Sequence, residues 1–338
     1  MFRVDKVNYF EKFHCIMGEC PDNCCEMAWN VLVDDVSYAK YQACKEESVR
    51  NFISREEPHK ILKENHKCPF FQADGLCMLH KEYGEGFLCE TCRNYPRMTS
   101  CYEDLYIVSL ALSCPAVLEL LWIQEKTEIK TEIFYESQED LRKGQFEISE
   151  SMAGKLQLRE GLLEIVRDRR FSLAERVRKM AEVLGIADFS EDLPKAVEWT
   201  RNYVMKNCLI NNGIRRQSEL IAEAVFDEES ALQFVSDNSR FLRLFEHILV
   251  YSIFEQILRM EKMGDRTAHR WLEKIVLRLA VIQYWLALLY GVQGKVSRND
   301  CNIAVYSLMR ILDHNEEEWE KCYGRWEQEI GGMPLVLW

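Results

Sequence analysis

Several features that would place a chain quickly are missing from this 338-residue sequence. Residues 1–12, MFRVDKVNYFEK, contain no apolar segment of signal-peptide length. The longest apolar stretch, LAVIQYWLALLYGV at 279–292, is interrupted by Gln283 and preceded by Arg278, and it is too short to read as a membrane span. It reads as a buried helix. These absences predict a cytosolic chain with no membrane span. A basic excess is missing as well. The net charge is −12; residues 1–125 hold 13 Lys and Arg against 20 Asp and Glu, and the remainder holds 30 against 35. Neither half carries the cationic footprint of a nucleic-acid binder, so nucleic acid is excluded as a partner. The acidic surface serves solubility first, and it would also attract a Lys-rich protein.

The motif absences exclude further classes. No glycine-rich GxGxxG turn follows a strand, and there is no P-loop and no HExxH. The CxxxCxxC spacing of radical S-adenosylmethionine enzymes is not matched, because Cys20-x3-Cys24 is followed at once by Cys25. Seven scattered histidines supply no Ser/His/Asp triad. There is no internal repeat and no low-complexity tract.

What the sequence has is cysteine: 14 residues, eleven of them between Cys15 and Cys114. A chain this long buries enough apolar surface without covalent staples. In a reducing compartment, clustered thiols bind metal or do redox chemistry more often than they form disulfides. One group is Cys15-x4-Cys20-x3-Cys24-Cys25. A second is Cys68-x8-Cys77-x11-Cys89-x2-Cys92, and Cys114 follows as a long-range closer. Gly18, Pro21, Pro69 and Gly75 lie between or beside these thiols and supply the reversals that bring ligands to one point. Zinc takes four such ligands in a tetrahedron, and a [4Fe–4S] cluster takes one cysteine per iron. Neighbouring side chains diverge by roughly 100° on a helix and roughly 180° on a strand, so one zinc rarely takes both Cys24 and Cys25. Separate iron corners suit the pair better, and iron–sulfur is favoured over zinc. A redox role for Cys89-Glu-Thr-Cys92 ranks below both, since the βαβ context of a thioredoxin-type pair is absent. His14 and His80 adjoin the thiol groups as lesser ligand candidates, with His59 and His66 below them. Cys44 reads as core, and Cys101, Cys208, Cys301 and Cys322 read as packing residues.

The fold class expected is mainly α: a loop-rich, Cys-rich metal-binding region over 1–125, a polar connector over 126–148, and an all-helical domain over 149–338. In the first region, Asp35 to Cys44 reads as a helix, and Asp34 reads first as its N-cap. LYIVSLAL at 105–112 reads as a strand, although a helix shows the same short apolar run. Pro115 suits the first turn of a helix with Ser113 or Cys114 near its cap. Further on, Ser172-Leu-Ala-Glu175 is a capping-box pattern, with Gly185 closing the helix behind it. Phe241 to Met260 and Trp271 to Tyr290 read as long buried helices. Ser297 opens another, with Ile303, Tyr306, Met309 and Leu312 as its apolar stripe.

Four ordered segments resemble the flagellin lysine-N-methylase family: CIMGECPDNCCEMAWNVLVD from Cys15, CPFFQADGLCMLH from Cys68, CETCRNYPR from Cys89 and SLALSCP from Ser109. The clustering also resembles a wider group of small zinc- or iron-chelating domains with a CxxCxxCC signature. The resemblance covers roughly the first 120 residues, and it departs mildly at Met17, where the pattern more often has a small residue. It implies methylation of lysine ε-amines on flagellin with S-adenosylmethionine as donor. It also implies an iron–sulfur centre on Cys15, Cys20, Cys24, Cys25, Cys68, Cys77, Cys92 and Cys114, with Cys89 as a further candidate. Asp22, Trp29, Asp34, Asp74, His80, Tyr95, Pro96 and Arg97 belong to the same motifs without an assigned chemistry. Two other classes stay open at this point: a non-catalytic zinc- or iron-chelating interaction module, and an iron–sulfur electron-transfer protein.

Overall fold

The computed structural model describes residues 1–27, 29–65, 67–135, 148–190, 192–207, 212–260 and 265–338. His66, Cys208 and most of the expected connector lie outside them. The chain opens with strand β1 (Phe2–Val7) and then leaves the body of the molecule for a Cys-rich lobe. That lobe is made of turns and four short helices: α1 (Asp35–Gln42), α2 (Glu47–Asn51), α3 (Met78–Tyr83) and α4 (Glu90–Asn94). The chain returns through β2 (Arg97–Tyr102) and β3 (Leu105–Leu110), then α5 (Pro115–Ile123) and β4 (Ile129–Phe134). Nine helices follow among the described residues. They are α6 (Glu150–Arg167), α7 (Leu173–Val183), α8 (Leu193–Lys206), α9 (Asn212–Ile221), α10 (Glu228–Asp237), α11 (Leu242–Gln256), α12 (Asp265–Gln293), α13 (Arg298–Leu312) and α14 (Glu316–Glu329).

The protein is thus mainly α, as its patterning predicts, and the expected helices appear with their caps. Asp34 accepts from Ser37 N at 2.9 Å, Pro115 opens α5 behind Cys114, and Ser172 and Ser297 each close a capping box. The four-stranded sheet, in the order β2-β3-β1-β4, is a finding that the periodicity showed only at β3. β1 pairs parallel with β3 and antiparallel with β4, and β2 pairs antiparallel with β3. β4 falls where a polar connector was expected. All but its first residue are exposed, so burial gave no signal there; its ladder with β1 holds it instead. Because β1 and β3 are parallel, the chain between them must cross over, and the Cys-rich lobe is carried by that crossover.

Two separate apolar clusters result. The larger joins Val7, Leu105, Ile107 and the apolar face of α5 to the helices from α6 onward, so the core of the helical body is not all-helical. The smaller holds eleven buried residues of the lobe, among them Val31, Tyr41, Phe70, Cys68 and Cys89. α12 is long and apolar enough to cross a membrane, but 89% of its apolar window is buried inside the fold, which is the buried-helix reading of 279–292. Buried ion pairs tie the body together. Burial alone would raise the Asp5 carboxyl; hydrogen bonds from Arg3, Arg159 and Thr131 overrule it and hold Asp5 below the ordinary carboxylate range. Arg278 on α12 meets Asp313 at the end of α13 at 2.9 Å, with both side chains buried. This fixes the C-terminal end of α13, which faces the lobe.

Candidate functional site: a thiol-lined cleft between lobe and body

The first thiol loop folds onto the second through their backbones. Asn23 Oδ1 accepts from Cys25 N at 3.0 Å and shapes a single 3₁₀ turn over Cys24–Glu26. Cys68 N then donates to Cys25 O at 2.8 Å. Gly18 and Gly75 make the close approach. Gly75 has φ +78°, and a Cβ there would lie 3.3 Å from Gly18 Cα, so a side chain would both strain the backbone and crowd the neighbouring loop. Met17 sits in the same turn with φ +47°, a left-handed conformation that costs a side-chain-bearing residue energy. The resemblance marked this position as the departure. Asp34 does double duty: besides capping α1, its Oδ2 accepts from Glu90 N at 2.9 Å, at the start of α4 behind Cys89. Partial burial alone would raise its pKa, but the hydrogen bonds from Glu90 and Ser37 win and lower it. The N-cap reading of Asp34 holds, and the same carboxylate stitches two helix starts together.

A cleft of about 640 Å³ opens between lobe and body, and Cys24, Cys25, Cys68 and Cys92 all line it. None of the 13 described cysteines is in a disulfide. The adjacent pair, expected to diverge, converges: Cys24 and Cys25 hydrogen-bond through their sulfurs, and Cys25 also bonds Cys68. The divergence applies to the Cα–Cβ directions, and rotation about χ1 recovers the contact one bond further out. Hydrogen bonding from Cys25 brings the Cys24 thiol down to about 7 and lowers Cys68, while Cys25, sharing both protons, is driven up. Likewise Cys92 brings Cys89 down to about 7 and is itself raised. Burial raises Cys77, and it pushes Cys114 up to about 12. Cys15 and Cys20 occupy the turn beside Cys24, with Cys20 Sγ 3.4 Å from Asp22 O and raised by burial. Among the described residues, no three His, Cys, Asp or Glu side chains already surround one point as metal ligands. The donor chemistry nevertheless suits a thiolate-ligated centre: free, soft sulfur ligands from three separate segments, open to one cleft.

The lesser candidates stand elsewhere. His14 Nδ1 meets Lys12 O at 3.1 Å, and buried His59 stacks on Tyr38 at 3.5 Å. His80 lies in α3. Cys301 and Cys322 are buried, as packing residues should be, but Cys101 is exposed on β2. Strand alternation explains the miss: at that register position the side chain faces out. Cys44 falls just past the end of α1, half-buried against the lobe's core, with Sγ 3.6 Å from Tyr83 Oη.

The body contributes residues that the cysteine pattern gave no reason to name. Arg310 on α13 has its side chain buried; its Nη1 stands 2.9 Å from Asp22 Oδ2, and its Nη2 donates to Asp22 O at 2.6 Å. Its Nε donates to Ser113 O at 3.0 Å. One guanidinium thus pins the first thiol loop and the start of α5 to the body. A signal existed: Arg310 lies four residues after Tyr306, on the apolar face of the helix, where a charge is out of place. Beyond it, His314 Nε2 meets Ser113 Oγ at 2.8 Å, and Ser113 Oγ meets Tyr95 Oη at 3.1 Å. Trp29 packs over both rings, 4.5 Å from His314 and 5.3 Å from Tyr95. Lys63 also lines the cleft, its Nζ donating to Met27 O at 3.0 Å. Burial lowers its pKa against the opposing pull of the nearby thiols.

Over 127 residues the chain is 30% identical to the flagellar biosynthetic protein FliU of Salmonella muenchen, covering 34% of this chain and 73% of that protein. The chain belongs to the flagellin lysine-N-methylase family. Lysine-N-methylases of Salmonella typhimurium and Salmonella choleraesuis match at 30% identity over 128 residues, 34% of this chain and 31% of each of those proteins. The matched segment thus spans about a third of the length of these two family members. No family profile matches the chain, and no solved structure matches it.

Proposed function

We propose that this protein is a protein-lysine N-methyltransferase that modifies flagellin lysines with S-adenosylmethionine as methyl donor. We propose further that its N-terminal thiols hold an iron–sulfur centre, of [4Fe–4S] type, in the cytosol. The observation that carries the reading is the cleft: four thiols of the family's motifs share one 640 Å³ space with side chains suited to an amine substrate. Cys24, Cys25, Cys68 and Cys92 are the residues that would hold the group, with Cys89 beside Cys92 and with Cys15, Cys20, Cys77 and Cys114 around them. Such a centre supplies an open iron or an electron when bound.

Methyl transfer to an amine is an in-line displacement. The lysine nitrogen must be neutral, the sulfonium methyl must be held in line with it, and the lost proton needs an acceptor. The chain meets these needs with a half-enclosed cleft and aromatic walls, which favour an uncharged amine over an ammonium by limiting its water. Arg310 and Asp34 act at a distance by fixing the loops that form the walls. The test is to incubate the anaerobically isolated protein with flagellin and methyl-labelled donor. Label on flagellin lysines is expected; no transfer with the iron–sulfur absorption intact overturns the reading.

A further inference from the structure

We propose that His314 is the proton acceptor for the substrate amine, set in place by the hydrogen-bonded row through Ser113 to Tyr95 and walled by Trp29. The proposal rests on the methyltransferase reading and adds a base, which the thiols do not provide.

Three separate segments meet to make the row. Tyr95 ends the lobe behind α4, Ser113 precedes α5, and His314 follows α13. The contacts are 3.1 Å and 2.8 Å, and Tyr95 and His314 both line the cleft. Placement is over-determined on each side: Arg310 holds Ser113 through its carbonyl oxygen at 3.0 Å, and Arg278 holds Asp313, the residue before His314, at 2.9 Å. When Nε2–H donates to Ser113 Oγ, the lone pair lies on Nδ1 of a ring that faces the cleft. The rings of Trp29 and Tyr95 stand beside it, 4.5 Å and 6.0 Å from the imidazole, and wall the site.

The charged groups around His314 come from every element packed there. Arg310 lies on α13 and Asp313 just past its end, and Asp22 sits on Arg310. Tyr95 comes from the lobe, Glu318 from α14, and Lys63 and the thiols line the same cleft. The ring is open to the cleft, yet the surrounding protein withdraws enough water to lower its pKa; Asp313 opposes this and Arg310 adds to it. His314 is therefore neutral, and able to take a proton, at pH 7. The step balances. The ε-ammonium gives one proton to Nδ1, the freed lone pair forms the N–CH3 bond as the S–CH3 bond breaks, and the donor leaves as a neutral thioether. The proton on His314 returns to water.

The test compares wild type with His314→Gln, Ser113→Ala and Trp29→Ala at equal iron–sulfur absorption. In His314→Gln, kcat for methyl transfer should fall about 100-fold with KM changed little, and the acid limb of the pH–rate profile should disappear. Ser113→Ala should shift that limb and cost kcat less. As an independent readout, His314 ring resonances of ¹⁵N-histidine-labelled protein, assigned by their loss in His314→Gln, are titrated with n-butylamine. A saturable shift in wild type that weakens in Trp29→Ala supports the site. A His314→Gln variant with wild-type kcat and pH profile overturns the proposal, as does a His314 ring that ignores the amine. If wild type itself transfers no methyl, the methyltransferase reading fails while the amine titration still decides whether this is an amine site.

Discussion

The two regions of the molecule are stable for different reasons. The body buries more than seventy residues in one continuous cluster, with helices capped at both the sequence and the structural level. The lobe has eleven buried residues, short helices and turns, and nine of the thirteen described cysteines are its own candidate ligands or the closer at Cys114. A cluster of that size supplies little hydrophobic stabilisation, so a lobe that binds metal through its thiols would draw much of its folding energy from that binding. The comparison teaches where to expect fragility: changes in the lobe should act through the thiols, and changes in the body through packing.

The strongest way to break this comparison is to remove the metal proposed for the lobe. Chelation, or Cys24→Ala or Cys92→Ala, should abolish metal content and soluble yield, and should open the lobe to protease. Cys301→Ala, in the body, should keep its metal and lose only about 1 kcal/mol from a small cavity. Metal analysis and limited proteolysis read the difference; equal metal content in all variants would refute the ligand assignment. Next in size is the joint between the regions. Arg310→Leu leaves Asp22 buried without its cation and should cost about 3–5 kcal/mol, read by thermal melting. A loss below 1 kcal/mol would mean that lobe and body are held by something else.

A smaller effect is expected at Asp34. Asp34→Ala removes an acceptor from two helix starts and should cost about 1–2 kcal/mol. Because its folded pKa is lowered, this contribution is present above the ordinary carboxylate pKa and fades as pH falls through the folded value. The gap between wild type and variant in chemical denaturation should therefore shrink on acidification. The smallest change runs the other way. Met17→Gly relieves the left-handed backbone at φ +47° and should stabilise the lobe by about 0.5–1 kcal/mol, read by chemical denaturation.

Much of this was legible along the chain. Hydrophobic period and capping residues gave the helices of the body, because those signals are local: the residues that make a turn of helix are the ones that cap and cover it. The thiols announced a site by sheer density, and Pro and Gly marked the reversals between them. β1, β2 and β4 were not legible. β4 is exposed along almost its whole length, and β2 alternates between exposed and half-buried positions, so neither shows a clear hydrophobic period. Cys101 was misplaced for the same reason.

By itself the sequence determined that this is a mainly helical chain with an N-terminal concentration of reactive sulfur, since composition and short-range periodicity need no knowledge of the fold. Only the tertiary structure decided that Cys24, Cys25, Cys68 and Cys92 open onto one cleft, that Arg310 fastens their loop to the body, and that Tyr95, Ser113 and His314 form one row. Those partners lie up to 288 positions apart, and separation along a chain carries no information about which side chains meet once helices pack and a crossover folds back.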